Sequence, residues 1–174
     1  ICCFAAVEAG VNSTEIAELE ELYILKCESL EDVERIKNLQ YHMILDLAER
    51  VQALQKRNPN HSQLIKNITD YIKENLTERI TVSEIAEHLS KSRGYVTTEF
   101  KKITNMNLSD YISELKINEA KELIRYTNRS FIDISSYLGF STQSHFIKVF
   151  KKITGKTPRA YRELSNLDEE EKLP

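Results

Sequence analysis

Two clusters of polar side chains in this 174-residue chain have the types and spacing to do chemistry, and that chemistry is recognition rather than bond breaking. The later cluster is Thr142, Gln143, Ser144 and His145, followed one and two turns on by Lys148, Lys151 and Lys152. The earlier one is Arg93, Thr97 and Thr98, followed by Lys101 and Lys102. Short polar groups near the start of a helix can reach base edges in a major groove, and lysines one or two turns later can neutralise phosphates. A single helix face of this kind is usually plain solvated surface. Here two occur, on a repeated unit, within the one basic stretch of the chain.

The repeat is marked by the pentapeptide FKKIT, which occurs at residues 100–104 and again at 150–154. The stretches ITVSEIAEHLSKSRGYVTTEFKKITN and SFIDISSYLGFSTQSHFIKVFKKITG share a plan. Each begins with a short capped helix ending in leucine, Leu89 or Leu138, and continues through a polar turn containing Ser92, or Gly139 and Ser141. A second helix follows, whose buried side carries Tyr95, Val96 and Phe100, or Phe146, Val149 and Phe150. The offset between copies grows from 49 to 50 because the second turn is one residue longer. Two capped helices joined by so short a turn form a helix-turn-helix.

The elements that must position these clusters are all helical. Thr81 with Glu84, and Ser130 with Asp133, have the spacing of capping boxes that open the first helix of each unit. Leu108, Tyr111, Ile112, Leu115, Ala120, Leu123 and Ile124 outline one long helix linking the two units. Upstream, Leu64, Ile65, Ile68, Tyr71, Ile72 and Leu76 form another helical stripe. Ser29 with Asp32 predicts the start of a helix of about seven turns, carried by Val33, Ile36, Met43, Ile44, Leu47, Val51 and Leu54. A shorter helix opening near Ser13 or Thr14 carries Ile16, Leu19, Leu22 and Tyr23, and Gly10 would cap an apolar piece before it. Strand alternation and hairpin signals are absent, so the expected fold is all-α: two helix-turn-helix units joined by a long linker helix and preceded by an accessory helical region. The expected division is an accessory region 1–57, a polar linker 58–63, a DNA-binding domain 64–165 and an acidic disordered tail 166–174.

Charge follows the same division. Residues 1–57 hold 6 Lys and Arg against 11 Asp and Glu, residues 58–165 hold 17 against 12, and residues 166–174 hold 1 against 4. Only the middle block can present a basic face to nucleic acid. Cys2, Cys3 and Cys27 lack metal-ligand spacing and read as thiols in a reducing cytoplasm. His42, His61 and His88 fall at solvated positions, and no HExxH or CxxC pattern is present, so neither enzyme, metal nor cofactor is expected. No apolar run reaches the length of a membrane span. The opening ICCFAAVEAG carries Glu8 and no preceding basic residue, unlike a signal peptide, and without an initiator Met the chain reads as beginning inside a longer protein.

The stretch LGFSTQSHFIKVFKKITGKTPRAYRE closely resembles the second helix-turn-helix signature of AraC/XylS-type transcription regulators, through Gly139-Phe140, Phe146, Phe150-Lys151-Lys152, Gly155, Thr157-Pro158 and Tyr161-Arg162. IAEHLSKSRGYVTTEFKK resembles that family's first unit and YISELKINEAKELI its linker helix, so the likeness covers about residues 62–163. It implies a sequence-specific DNA-binding regulator, an activator by the family's leaning, in the bacterial cytoplasm at the nucleoid. It further implies RNA polymerase as a partner and a homodimer formed through the N-terminal helices or a sensory domain ahead of them. By the same resemblance the base-reading positions are Gly94, Thr97 and Thr98, then Gln143, Ser144, His145 and Lys148; the exposed helix faces add Arg93, Lys101, Thr142 and Lys151 to the expected interface. Because Gly94 has no side chain to read with, the second unit is expected to carry most direct base readout. Lys91 and Glu99 stand where the family pattern is apolar, and Asn105 stands where Gly155 supplies glycine. Two alternatives are a helical protein-interaction module built on the acidic helices 14–56 and a fragment of a DNA-repair fusion, whose metal-binding cysteine cluster is not visible here.

Overall fold

The computed structural model describes residues 6, 10–30, 32–57 and 59–170, with the side chains of 54, 55, 57 and 166–170 outside that description. Among the described residues the elements are α1 (Ser13–Glu28), α2 (Val33–Arg57), α3 (Pro59–Glu74), α4 (Val82–His88), α5 (Arg93–Thr104), α6 (Leu108–Tyr126), α7 (Phe131–Tyr137), α8 (Gln143–Thr154) and α9 (Pro158–Glu170), with no strand. They fall into two compact units, each taken below by itself. One comprises the described residues of Ile1–Tyr71 and Ala86–Asn107, the other those of Ile72–Ile85 and Leu108–Pro174.

In the first unit, Gly10 takes a left-handed φ of 87° and the Val11 N–H donates back to the Ala6 carbonyl at 2.9 Å, a helix-ending turn as expected. Asn12 caps α1 by accepting the Thr14 N–H at 2.9 Å. Ile16 and Leu19 are buried, whereas Leu22, expected beside them, is exposed. The expected N-cap Ser29 instead closes α1, and Asp32 opens α2 by accepting the Glu34 N–H at 2.9 Å. A carboxylate at the N-cap satisfies an orphan N–H and complements the helix dipole, so α2 opens at Asp32 and not at Ser29. The polar run expected to be a linker is helical from Pro59 onward, because proline at the first helical position lacks only an N–H that would be unpaired anyway. Ile65 and Ile68 of α3 are fully buried, as are Val96 and Phe100 of α5.

The second unit is built on the linker helix α6. Ile117, Ala120 and Ile124 of α6 form one cluster with Ile134, Leu138, Phe146 and Phe150, and Leu123, Phe140, Ile147, Val149 and Tyr161 pack against it. Phe146 and Phe150, with rings 5.7 Å apart and edge to face, each contribute about 1.5–3 kcal/mol by burial. Lys116 is buried too, which the helical stripe did not show; its ammonium donates to the carbonyls of Glu78 and Leu138. Burial pushes this lysine down to about 8.

The family signature has a structural meaning here. Gly139, at φ 64°, lies where an added Cβ would sit 2.4 Å from the Glu78 carbonyl, so only glycine fits. Thr157 caps α9 by accepting the Ala160 N–H at 3.2 Å, with Pro158 in its first turn. Arg162 donates to the Arg129 carbonyl at 2.7 Å and stacks over Phe131 at 4.4 Å, holding α9 to the start of α7. Helix α9 runs to Glu170, into the segment expected to be a disordered tail; its good helix formers and the Arg159–Glu163 pair at 3.0 Å sustain it, and residues 171–174 lie outside the description.

Candidate nucleic-acid interface

Helices α5 and α8 are each twelve residues long and begin and end alike. Ser92 caps α5 by accepting the Tyr95 N–H at 3.2 Å, and Thr142 caps α8 by accepting the His145 N–H at 3.1 Å. At the other end Asn105 and Gly155 take left-handed φ values of 58° and 75°, their N–H groups donating to the Lys101 and Lys151 carbonyls at 2.8 and 2.9 Å. Thr104 and Thr154 donate to the Phe100 and Phe150 carbonyls, and each accepts an N–H from two residues on, Met106 or Lys156 at 3.2 Å. FKKIT is thus a helix-ending word. Its phenylalanine enters the core, its lysines face outward, and its threonine folds back on the last turn to receive the departing chain.

The two N-caps fix the register between the helices. Arg93 corresponds to Gln143, Gly94 to Ser144, Tyr95 to His145, Thr97 to Ile147, Thr98 to Lys148 and Lys101 to Lys151. Arg93, Gly94, Thr98, Lys101, Ser144, His145, Lys148 and Lys151 are exposed, as is Thr142; Gln143 is half-buried. A Cβ at Gly94 would meet nothing within 4 Å, so glycine is not required there by space. Thr97 is half-buried, like Ile147, and its hydroxyl donates to the Arg93 and Gly94 carbonyls, both at 3.0 Å. Tyr95, expected on the buried side, is 45% exposed. The aromatic ring beside Val96 suggested core; alignment on the caps, with His145 as counterpart, is the signal that would have placed it outside.

The lysines divide cleanly. Lys102 pairs with the half-buried Glu99 and Lys152 with Asp110, both at 3.6 Å. Burial and then Asp110 push the neighbouring Glu114 carboxyl above the usual range, with Lys121 and Lys152 pulling the other way. Lys101, Lys148 and Lys151 make no ion pair among the described residues. Each turn also supports the third residue of its recognition helix. The Lys91 ammonium lies 5.9 Å from the Tyr95 ring, and the Phe140 ring lies 5.7 Å from the His145 ring, edge to face. Cys27 is a free, half-buried thiol, and Cys2 and Cys3 lie outside the described residues. Among the described residues no group of three or more His, Cys, Asp or Glu could hold a metal ion, and no helix is long and apolar enough to cross a membrane.

Capped helix pairs in tandem, each offering a polar and basic second helix, define the class: an all-α DNA-binding module with two helix-turn-helix units joined by a linker helix. Comparison with known proteins agrees. The helix-turn-helix domain family matches residues 85–164. The HTH-type transcriptional activator AarP of Providencia stuartii is 36% identical over 101 residues, 58% of this chain and 75% of that protein. The bifunctional transcriptional activator/DNA repair enzyme AdaA of Bacillus subtilis is 34% identical over 108 residues, 62% of this chain but only 51% of that protein. The chain therefore spans about half the length of that relative. A crystal structure of an AraC-type transcriptional regulator from Chromobacterium violaceum matches at 26% identity and a TM-score of 0.56, over 62% of this chain and 96% of that one. The chain belongs to the AraC/XylS-type family of DNA-binding transcription regulators.

Proposed function

We propose that this chain binds a specific duplex by placing α5 and α8 in successive major-groove segments, and that it activates transcription from there. Residues 64–165 are the proposed DNA-binding domain and residues 1–57 its accessory region. The observation that carries the reading is the shared register of α5 and α8, which puts at the same place in each a lysine with no ion pair among the described residues, Lys101 and Lys151. In the first repeat Arg93 and Thr98 are the proposed base contacts, with Gly94 and Thr97 beside them. In the second, Gln143, Ser144 and Lys148 read bases, with Thr142 and Lys151 on phosphate. RNA polymerase and a second copy of the chain are the proposed protein partners, in the bacterial cytoplasm at the nucleoid. The exposed apolar residues Ile24 and Leu25 of α1 and Tyr41 and Ile44 of α2 support self-association. The absence of alkyl-transfer activity is part of the proposal.

Hydroxyl-radical footprinting of a selected duplex tests the central claim. The expected result is two protected segments one helical turn apart, about 34 Å along the DNA, for one bound monomer. Protection of a single segment at every concentration overturns it.

A further inference from the structure

We propose that Tyr95 and His145, the third residues of the two recognition helices, are phosphate-backbone contacts that position each helix in its groove, in place of the base-reading role that the resemblance implied for His145. The inference rests on the DNA-binding reading above and assigns these two residues a role within it. A helix with its side chains is about 10–12 Å across and a major groove about 12 Å wide, so the centre of the exposed face meets base edges and its flanks meet the phosphate walls. At 3.6 residues per turn, Thr98 and Lys148 lie at the centre of their exposed faces. Lys101 and Lys151 lie on one flank. Tyr95 and His145 lie on the other, two turns ahead of Lys102 and Lys152.

On that second flank the lysines already have carboxylate partners. Lys102 is engaged by Glu99 and Lys152 by Asp110, while Lys101 and Lys151 of the first flank make no ion pair among the described residues. Tyr95 and His145 are exposed on it, and each can donate a hydrogen bond, from a phenol O–H or a ring N–H. Each ring is also backed from its own turn, by Lys91 or by Phe140, which limits how far the donor can wander. Comparison of the repeats points the same way. Positions that read sequence should differ between units that read different segments, and they do: Arg against Gln, Gly against Ser, Thr against Lys. A position that keeps a supported ring with a donor at its tip in both units serves what both segments share, the backbone.

The test uses the full chain with Tyr95→Phe and His145→Phe, which keep an aromatic ring and remove the donor. Binding is measured to every single-base variant of a selected site, and to duplexes carrying one neutral methylphosphonate in place of each phosphate in turn. Each variant should bind all sequences about tenfold more weakly with an unchanged preference profile. One methylphosphonate that weakens the unsubstituted protein should leave the matching variant no weaker than before. Altered preference at a single base pair would make the residue a base reader, and unchanged affinity would make it neither; either result overturns the proposal. If the unsubstituted chain itself protects no segment, the DNA-binding reading fails first, and a normal footprint with unaffected variants isolates the failure to this inference.

Discussion

The turn of the first repeat takes four residues, 89–92, and that of the second takes five, 138–142. Up to the extra residue the two follow the same path. Ser90 and Gly139 both turn left-handed, at φ 53° and 64°, donating to the Glu87 and Ser136 carbonyls. Lys91 and Phe140 follow, donating to Ala86 and Ser135. The chemistry differs because the surroundings differ. Gly139 has the Glu78 backbone against it, and Phe140 packs on the core of its unit; Lys91 is exposed and covers Tyr95 instead. A shared backbone path is thus held by different side chains, each chosen by what lies next to it.

The strongest check on that view is stability. Gly139→Ala adds a Cβ 2.4 Å from a backbone carbonyl at a left-handed position, and should destabilise by about 3 kcal/mol or more in urea unfolding. Ser90→Gly, at the equivalent position, should leave stability unchanged or raise it by about 1 kcal/mol. Comparable losses from both would mean that the two turns are constrained alike.

Next in size is Lys116→Met, which leaves the Glu78 and Leu138 carbonyls without their donor and should cost about 2 kcal/mol at neutral pH. Its pH dependence has a definite sign. The folded lysine is held down to about 8, against 10.5 unperturbed, so between these values the unfolded chain binds more protons. Stability supplied by this residue therefore rises from pH 8 to 10.5, and the neutral amine still has two N–H donors for its two carbonyls. The gap between the unsubstituted protein and Lys116→Met should widen over that window. A gap that closes would show that the charge itself holds the contact.

What could be read in advance was local. Thr81 and Glu84 exchange the two hydrogen bonds of a capping box, Ser130 caps α7 through the Asp133 N–H, and Asn105 accepts the left-handed position, all from contacts within three or four residues. The one-residue difference between the turns was also visible. What was hidden depends on partners remote in sequence or on competition between equally good local signals. Nothing near Lys116 announces that it will find two carbonyls 38 and 22 residues away. Ser29 has the spacing of an N-cap, yet Asp32 takes that role, and Tyr95 looks like core until its counterpart is recognised as His145.

That register also bears on which repeat reads bases. Gly94 suggested that the second helix carries most of the readout, yet Arg93 stands where Gln143 does. Gln143→Ala should flatten preference at one base pair by about 1–3 kcal/mol, and Arg93→Ala should do the same in the other segment, measured on all single-base variants. Thr98→Ala should change preference less than either. Thr97→Ala should leave it intact, since that hydroxyl is turned back on its own helix. An Arg93→Ala effect that is uniform across sequences would return base readout to the second repeat.

The two lysines of FKKIT give a smaller contrast. Lys151→Ala should weaken binding to all sequences and shallow the log–log salt slope by about one unit. Lys152→Ala should change the slope by less, because Asp110 already holds that ammonium at 3.6 Å. Equal slopes would show that DNA displaces the carboxylate.

The smallest effect concerns the residue that follows each FKKIT. Gly155 needs only its backbone freedom, but Asn105 does a second thing: its side-chain amide donates to the Thr14 hydroxyl of α1 at 2.7 Å, across 91 residues of sequence. Asn105→Gly keeps the left-handed cap and removes that bond. Two opposing terms then nearly cancel. Glycine relieves the left-handed strain that asparagine tolerates, and the exposed hydrogen bond contributes only about 0.5–1 kcal/mol. Asn105→Gly alone should therefore shift stability by about 0.5 kcal/mol or less, in either direction. The bond is revealed by coupling instead. In a cycle with Thr14→Ala, the double substitution should lose less than the sum of the single ones, by about 0.5 kcal/mol or more. Strict additivity would show that the asparagine serves the cap alone, and that α1 has no hold on the end of the first recognition helix through it.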